Sequence, residues 1–321
     1  MDLADCIPLF GLAREGVLEK LVHGFALFKH QDGPIVGAGA DAPIVARSLG
    51  KPWQFLASGL GGPEAFWTLG FSSHSGQAQH VDHLRLLAAA LRTGEEWISC
   101  PSAYPLDARR AWEMKLAGAS PSRLLHPCSG KHLVWAGACS ALGLPKDYLA
   151  PDHPLHARHR IILAERGVSP TWVKDGCGLP SAVMAGRDHL ALWADLALDD
   201  SASARQLKRL WLEHPSLIGG DGRLDSDIVR LGNGELLAKQ GADGLLVVQS
   251  LPPAGGTCLL KIAGGDNEAH AGLALVAMLS VLKDLPQPFA KLLENLRLRI
   301  GGWTGDDHAL VLPPSPAIGT R

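Results

Sequence analysis

The 321-residue chain predicts an α+β fold, an antiparallel sheet with helices packed around it. Three observations carry this reading. Strand-like segments lie at both ends, the last three are joined by short links, and the long middle is helix-rich. At the start, Gly16–Glu19, Gly24–Phe28 and Ile35–Gly37 read as strands, with Asp32-Gly33 as a turn. A helix follows from about Ser48, and another spans Gln79–Leu91, where VDHLRLLAAAL sets apolar residues at helical spacing. Between Ala108 and Leu212 the predicted helices include Ala157–Arg166, Arg187–Leu198 and Ser201–Leu212. Glu235–Lys239, Gly244–Gln249 and Gly256–Ile262 are short, apolar and bounded by Gly or Pro, as in an antiparallel meander. The apolar run Ala271–Leu282 is too short to span a bilayer and reads as a buried helix. No repeat, low-complexity tract or linker divides the chain, so one catalytic-size domain is expected over 1–321.

Composition narrows the function. Hydrophobic residues make up 46% and charged residues 19%, which places the chain with globular proteins and not with disordered ones. A net charge of -2 and a pI near 6.7 give no electrostatic case for nucleic acid or an anionic membrane as partner. MDLADCIPLF has neither the basic nor the long apolar region of a secretory signal. Six cysteines in a chain of this length do not form a disulfide scaffold, and a cytoplasmic location is expected. There, a cysteine among polar neighbours binds metal or reacts.

Four constellations carry chemistry. Ser48-Leu49-Gly50-Lys51 sets a hydroxyl and an amine three residues apart, on one face of a helix. A lysine made less basic by burial can take the serine proton and activate a weak nucleophile. Pro52 belongs in a first helical turn, which puts Ser48 at or just before the helix start, although the residue before a proline resists the α conformation. The second is the hydroxyl-rich turn Ser72-Ser73-His74-Ser75-Gly76-Gln77, in which His74 reads by default as a surface histidine. The third is Lys239-Gln240-Gly241 at a strand end. The order Ser-x-x-Lys, Ser-x-Ser, Lys-x-Gly is similar to that of penicillin-recognising enzymes. The fourth joins Cys128-Ser129-Gly130-Lys131-His132 to Asp175-Gly176-Cys177-Gly178. Thiolates are favoured zinc ligands, lysine is an unusual one because it must first lose a proton, and His132 or Asp175 are conventional additional partners. The spacing fits no zinc finger. His153, His156 and His159 repeat every three residues and read as a polar helix face.

The segments ARSLGKPWQ, SSHSGQAQHV, HPCSGKH, DGCGLP, KQGADG and KIAGGD resemble the L-asparaginase II family over nearly the whole chain. The resemblance implies a serine β-lactamase- and glutaminase-like fold and hydrolysis of L-asparagine to L-aspartate and ammonia. It further implies two Ser–Lys pairs: Ser48, the nucleophile, with Lys51 as base, and Ser73 with Lys239, Ser75 being an alternative to Ser73. One zinc per chain would lie on Cys128, Lys131 and Cys177, supporting substrate binding and not generating the nucleophile. Asp175 and His132 would contact the substrate amine and support that site, Arg47 beside the nucleophile would take the substrate carboxylate, and a homodimer is expected. The chain departs from the family pattern at Gln77, where Glu is expected, and in HPC and KIAGG. Glutaminase or β-lactamase-like action on another amide, or a catalytically weak zinc- and substrate-binding homologue, are the other readings.

Overall fold

The computed structural model describes residues 6–30, 32–265, 268–300 and 309–311; the start of MDLADCIPLF and Asp266 of KIAGGD lie outside them. The chain opens with β1 (Ile7–Arg14), β2 (Val17–Lys29), β3 (Ile35–Ala38) and β4 (Pro43–Val45). Five helices follow: α1 (Lys51–Ser58), α2 (Ala78–Leu91), α3 (Ala108–Leu116), α4 (Ser129–Leu142) and α5 (Pro154–Glu165). Then come β5 (Thr171–Lys174), β6 (Pro180–Ala185), α6 (Gly186–Leu198), α7 (Ala202–Glu213) and α8 (Leu224–Leu231). The chain closes with β7 (Leu236–Gly241), β8 (Leu245–Ser250), β9 (Gly256–Ile262), α9 (Glu268–Val281), α10 (Gln287–Ile300) and β10 (Ala309–Val311). These elements form two compact units. One comprises Met1–Ile44, Met184–Leu198 and Asp227–Arg321, the other Val45–Val183 and Asp199–Ser226.

The first unit is built on an antiparallel sheet in the order β10-β1-β2-β9-β8-β7, with β3 also on β2. The two N-terminal strands expected from the sequence are one 13-residue strand, β2. Its edge is shared end to end: β1 pairs from Arg14↔Val17 to Ile7↔Gly24, and β3 from Lys29↔Ile35 to Ala26↔Ala38. Strand β1 has no clean alternation in sequence. Pro8 cannot donate to a ladder, and the register with β2 shifts between Pro8 and Phe10. The meander β7-β8-β9 forms as expected, and every residue of β8 is buried, as its unbroken LLVVQS run requires. Strand β10 pairs with β1, so the two ends of the chain do share a sheet. Helices α6 and α9 pack on the sheet, and α9 buries an unbroken run from Ala271 to Leu279.

The second unit holds α1–α5 and α7 with most of a small sheet in the order β4-β6-β5. Helix α7 shows its design in sequence: Ala204, Leu207, Leu210 and Trp211 are buried, while Arg205 and Arg209 are exposed, as the basic cluster predicts. Helix α1 packs on α4 and α5, and α2 packs on α4. Fully buried Trp135 of α4 donates its indole N–H to Gln54 O of α1 at 3.0 Å, fixing these two helices by packing and by one satisfied polar contact. Strands β5 and β6 were not legible in sequence. They form a hairpin whose turn is DGCG, closed by Asp175 N–H to Leu179 O and Gly178 N–H to Asp175 O, both 2.9 Å.

Candidate active site

Ser48 lies on a 3-10 turn, Arg47–Gly50, that runs directly into α1. Lys51 is the first residue of α1 and is helical (φ -61°, ψ -35°), so the restraint from Pro52 is overcome and the proline falls in the first turn as expected. Arg47 has φ +47°, a left-handed conformation that costs a non-glycine residue about 1 kcal/mol or more. It is held there by its own N–H, which donates to Ser181 Oγ at 2.9 Å, and by an ion pair from Nη1 to Asp175 Oδ1 at 2.9 Å. Thus the two residues expected to hold the charged ends of a substrate face each other.

Lys51 is 1% exposed, and its amine is the centre of the site. Nζ donates to Ser72 O, to Pro127 O at 3.0 Å and to Ser73 Oγ at 2.9 Å. Burial, aided by the Lys131 ammonium, makes Lys51 less basic than an ordinary lysine, against the pull of Cys128 and Cys177. In the neutral amine, the two carbonyls take the two N–H bonds and the lone pair is left for the Ser73 hydroxyl. The partner of Lys51 is therefore Ser73; among the described residues no hydrogen bond joins it to Ser48. Half-buried Ser48 sits three positions away along the same turn. Ser75, one turn further along the loop, is buried with its hydroxyl unbonded, and its N–H donates to Gly219 O at 2.7 Å. Lys239 is fully buried on β7 in the first unit, with Nζ donating to Gln240 O at 2.8 Å.

The two cysteines are not in open loops. Cys128 caps the N-terminus of α4 and Cys177 sits in the β5–β6 turn, and both are buried. The two thiols are neighbours, and Lys131 Nζ reaches Cys177 Sγ at 3.3 Å. The Cys177 hydrogen bond, with help from Lys51, Lys131 and His126, holds the Cys128 thiol well below its usual range despite burial. Cys177, donating to that thiolate and buried, is pushed up. Burial works against the Lys131 charge, but the sulfurs and Asp175 outweigh it and push its pKa up. Among the described residues no three His, Cys, Asp or Glu side chains gather for a metal, but two sulfurs and an amine do converge. Such a donor set fits a soft cation, which must displace the thiol proton and one from Lys131.

His132 is fully buried, with Nδ1 3.0 Å from Tyr148 Oη and Nε2 without a partner. Burial, with Lys131 beside it, holds it neutral. Tyr148 went unnoticed in sequence. Its hydroxyl donates to Trp97 O at 3.1 Å and accepts Ser99 N–H at 2.8 Å, so it orients the histidine from the fold side. His74, expected at the surface, is fully buried and bonded to Ser129 Oγ at 2.9 Å, because the serine-rich turn runs through the interior of the unit. The 153, 156, 159 series is buried too. His156 packs on Trp135 and His159 on Trp172, which makes it an interior face.

An α+β protein that places a serine hydroxyl on a buried lysine, beside a carboxylate–guanidinium pair, has the groups of an amide hydrolase. The family model for L-asparaginase II matches residues 11–309, and the chain belongs to that family. Its reaction class is accordingly hydrolysis of a small-molecule amide, asparagine hydrolysis in general. No curated protein matches the chain. Among the described residues no helix is long and apolar enough to cross a membrane.

Proposed function

We propose that the chain, as one catalytic domain over 1–321, hydrolyses L-asparagine to L-aspartate and ammonia through an acyl-enzyme on Ser48. The observation that supports a serine–lysine mechanism is the hydrogen bond between Lys51 Nζ and Ser73 Oγ, in a site that lowers the basicity of Lys51 and so favours its neutral, proton-accepting form. Ser48, three positions from Lys51, is taken as the nucleophile from the family resemblance. Ser48 Oγ attacks the side-chain amide carbon and its proton passes to Lys51. The lysine then protonates the departing nitrogen, which leaves as ammonia, and takes a proton from the water that cleaves the ester. Ser73 keeps the lysine lone pair aligned and relays protons to it. Lys239 serves the same chemistry as the second lysine of the tandem. Arg47 receives the substrate carboxylate and Asp175 its ammonium, exchanging their mutual ion pair for the two charges of the amino acid. His132 supports this pocket, and Ser75 is the reserve hydroxyl of the loop.

Cys128, Cys177 and Lys131 would hold one zinc, which as a Lewis acid orients substrate and lowers the basicity of groups beside it. The working form is a cytoplasmic homodimer.

The experiment is a coupled ammonia assay on single variants. Ser48→Ala lowers turnover by about a thousandfold or more, and Ser73→Ala by about a hundredfold. Near wild-type turnover by Ser48→Ala with an inactive Ser73→Ala would transfer the nucleophile to Ser73. Full activity in both would sink the serine mechanism.

A further inference from the structure

Ser73 meets Lys51 only because its segment is pinned. Ser73 N–H donates to Ile218 O at 2.9 Å and Ser75 N–H to Gly219 O at 2.7 Å, so the serine turn borrows its shape from the segment before α8. That segment is a loop, and one side chain clasps it. Gln77 Oε1 accepts Asp221 N–H at 3.0 Å, while Nε2 donates to Asp221 O at 3.2 Å. The same Nε2 donates to Asp107 Oδ2 at 2.9 Å. Asp107 caps α3 by accepting Arg110 N–H at 2.8 Å, and its own N–H donates to Ser75 O at 2.8 Å. Three segments therefore close around one amide. The packing is tight: a Cβ on Gly220 would stand 2.3 Å from Ser75 Oγ and 2.9 Å from Gln77 Oε1. His80 repeats the tie, with Nδ1 accepting Gln77 N–H and Nε2 donating to Ser216 O, both at 3.0 Å.

We propose that Gln77 is a positioning residue for the Ser73 hydroxyl, and that this chain needs an amide there because the residue opposite, Asp107, is a carboxylate. The inference rests on the reading in which Ser73 serves Lys51. An amide both donates and accepts, and its bonds to Asp107, Asp221 and Gln79 use that polarity. A carboxylate at the same place would turn two hydrogen bonds, to Asp107 and to Asp221 O, into contacts between acceptors, one of them between like charges. The 215–222 loop would loosen, and with it the two backbone bonds that place Ser73 and Ser75.

The test compares Gln77→Glu, Asp107→Asn and the double variant in the ammonia assay, with amide hydrogen exchange read at Ser73 and Ser75. Gln77→Glu is expected to lower kcat by about a hundredfold with KM within about twofold, and to speed exchange at both amides. The double variant regains kcat to within about fivefold of wild type, because the new asparagine amide donates to the new carboxylate. Asp107→Asn alone is also expected to lower kcat, since its one oxygen stays on Arg110 N–H to cap α3 and its amide nitrogen then faces Gln77 Nε2, donor against donor. Wild-type kcat in folded Gln77→Glu, a loss confined to KM, or a double variant that stays inactive or unfolded would each overturn the proposal. Ser73→Ala separates the two levels. If it is fully active, the Ser–Lys reading fails; if it is inactive while Gln77→Glu is not, only the positioning role fails.

Discussion

Lys51 is the residue on which the site turns, and its behaviour follows from what surrounds its nitrogen. Two carbonyls and a serine hydroxyl satisfy it, while burial and Lys131 oppose its charge. The opposite balance holds at Lys131, where thiolate and carboxylate keep the ammonium charged. Two lysines in one unit are thus tuned apart, one toward base and one toward cation, which is how acid and base roles are separated at neutral pH. The same balance makes the metal claim testable. Metal analysis of the purified protein is expected to find about one zinc per chain, lost in the Cys128→Ser, Cys177→Ser double variant. Binding should release protons, so affinity rises with pH. Full substrate affinity in protein free of metal would remove zinc from the reading.

At the scale of elements, the site is delivered by the start of α1, the start of α4, the serine segment before α2 and the β5–β6 hairpin. Close approach of α4 depends on Gly130, between Ser129 and Lys131. A Cβ there would lie 2.2 Å from Leu69 O, a backbone atom that cannot step aside. Gly130→Ala is therefore expected to destabilise the protein by about 1–3 kcal/mol, despite alanine's higher helix propensity. Urea denaturation reads this directly; a variant as stable as wild type would show that α4 has room to move. Activity should fall with it, since the same shift carries Lys131 and Cys128.

At the scale of the whole molecule, both units bury neutral histidines. His80, His156 and His189 are each pushed down from the usual 6.5 to about 4 and His159 to about 3, in every case chiefly by burial. Their backbone acceptors, Ser216 O, Tyr148 O and Ile44 O, pull the other way for His80, His156 and His189 but lose to desolvation. The folded state then binds fewer protons than the unfolded chain as pH falls below the unfolded value. The stability these residues contribute is complete above about pH 6.5 and is lost progressively toward pH 4, and toward about pH 3 for His159. Chemical denaturation from pH 7.5 to 4.5 should show that decline, and the quadruple His→Gln variant should flatten it. A flat wild-type profile would mean that the histidines titrate normally.

The amino-acid sequence by itself determined the α+β class, the meander, α9, the exposed face of α7 and the family, because these are written in local periodicity and in short motifs such as HPCSGKH and DGCGLP. It also named the residues proposed for the site. Tertiary structure alone decided their partners. Lys51 meets Ser73, 22 positions along the chain, and Arg47 meets Asp175 in the β5–β6 turn. The fusion of two expected strands into β2, the burial of His74 and of the His153 series, and the clasp at Gln77 belong to the same class. Periodicity reports which face of an element is apolar, but says nothing of which other segment will cover a polar group. That is settled only when the chain folds and each buried donor must find its acceptor.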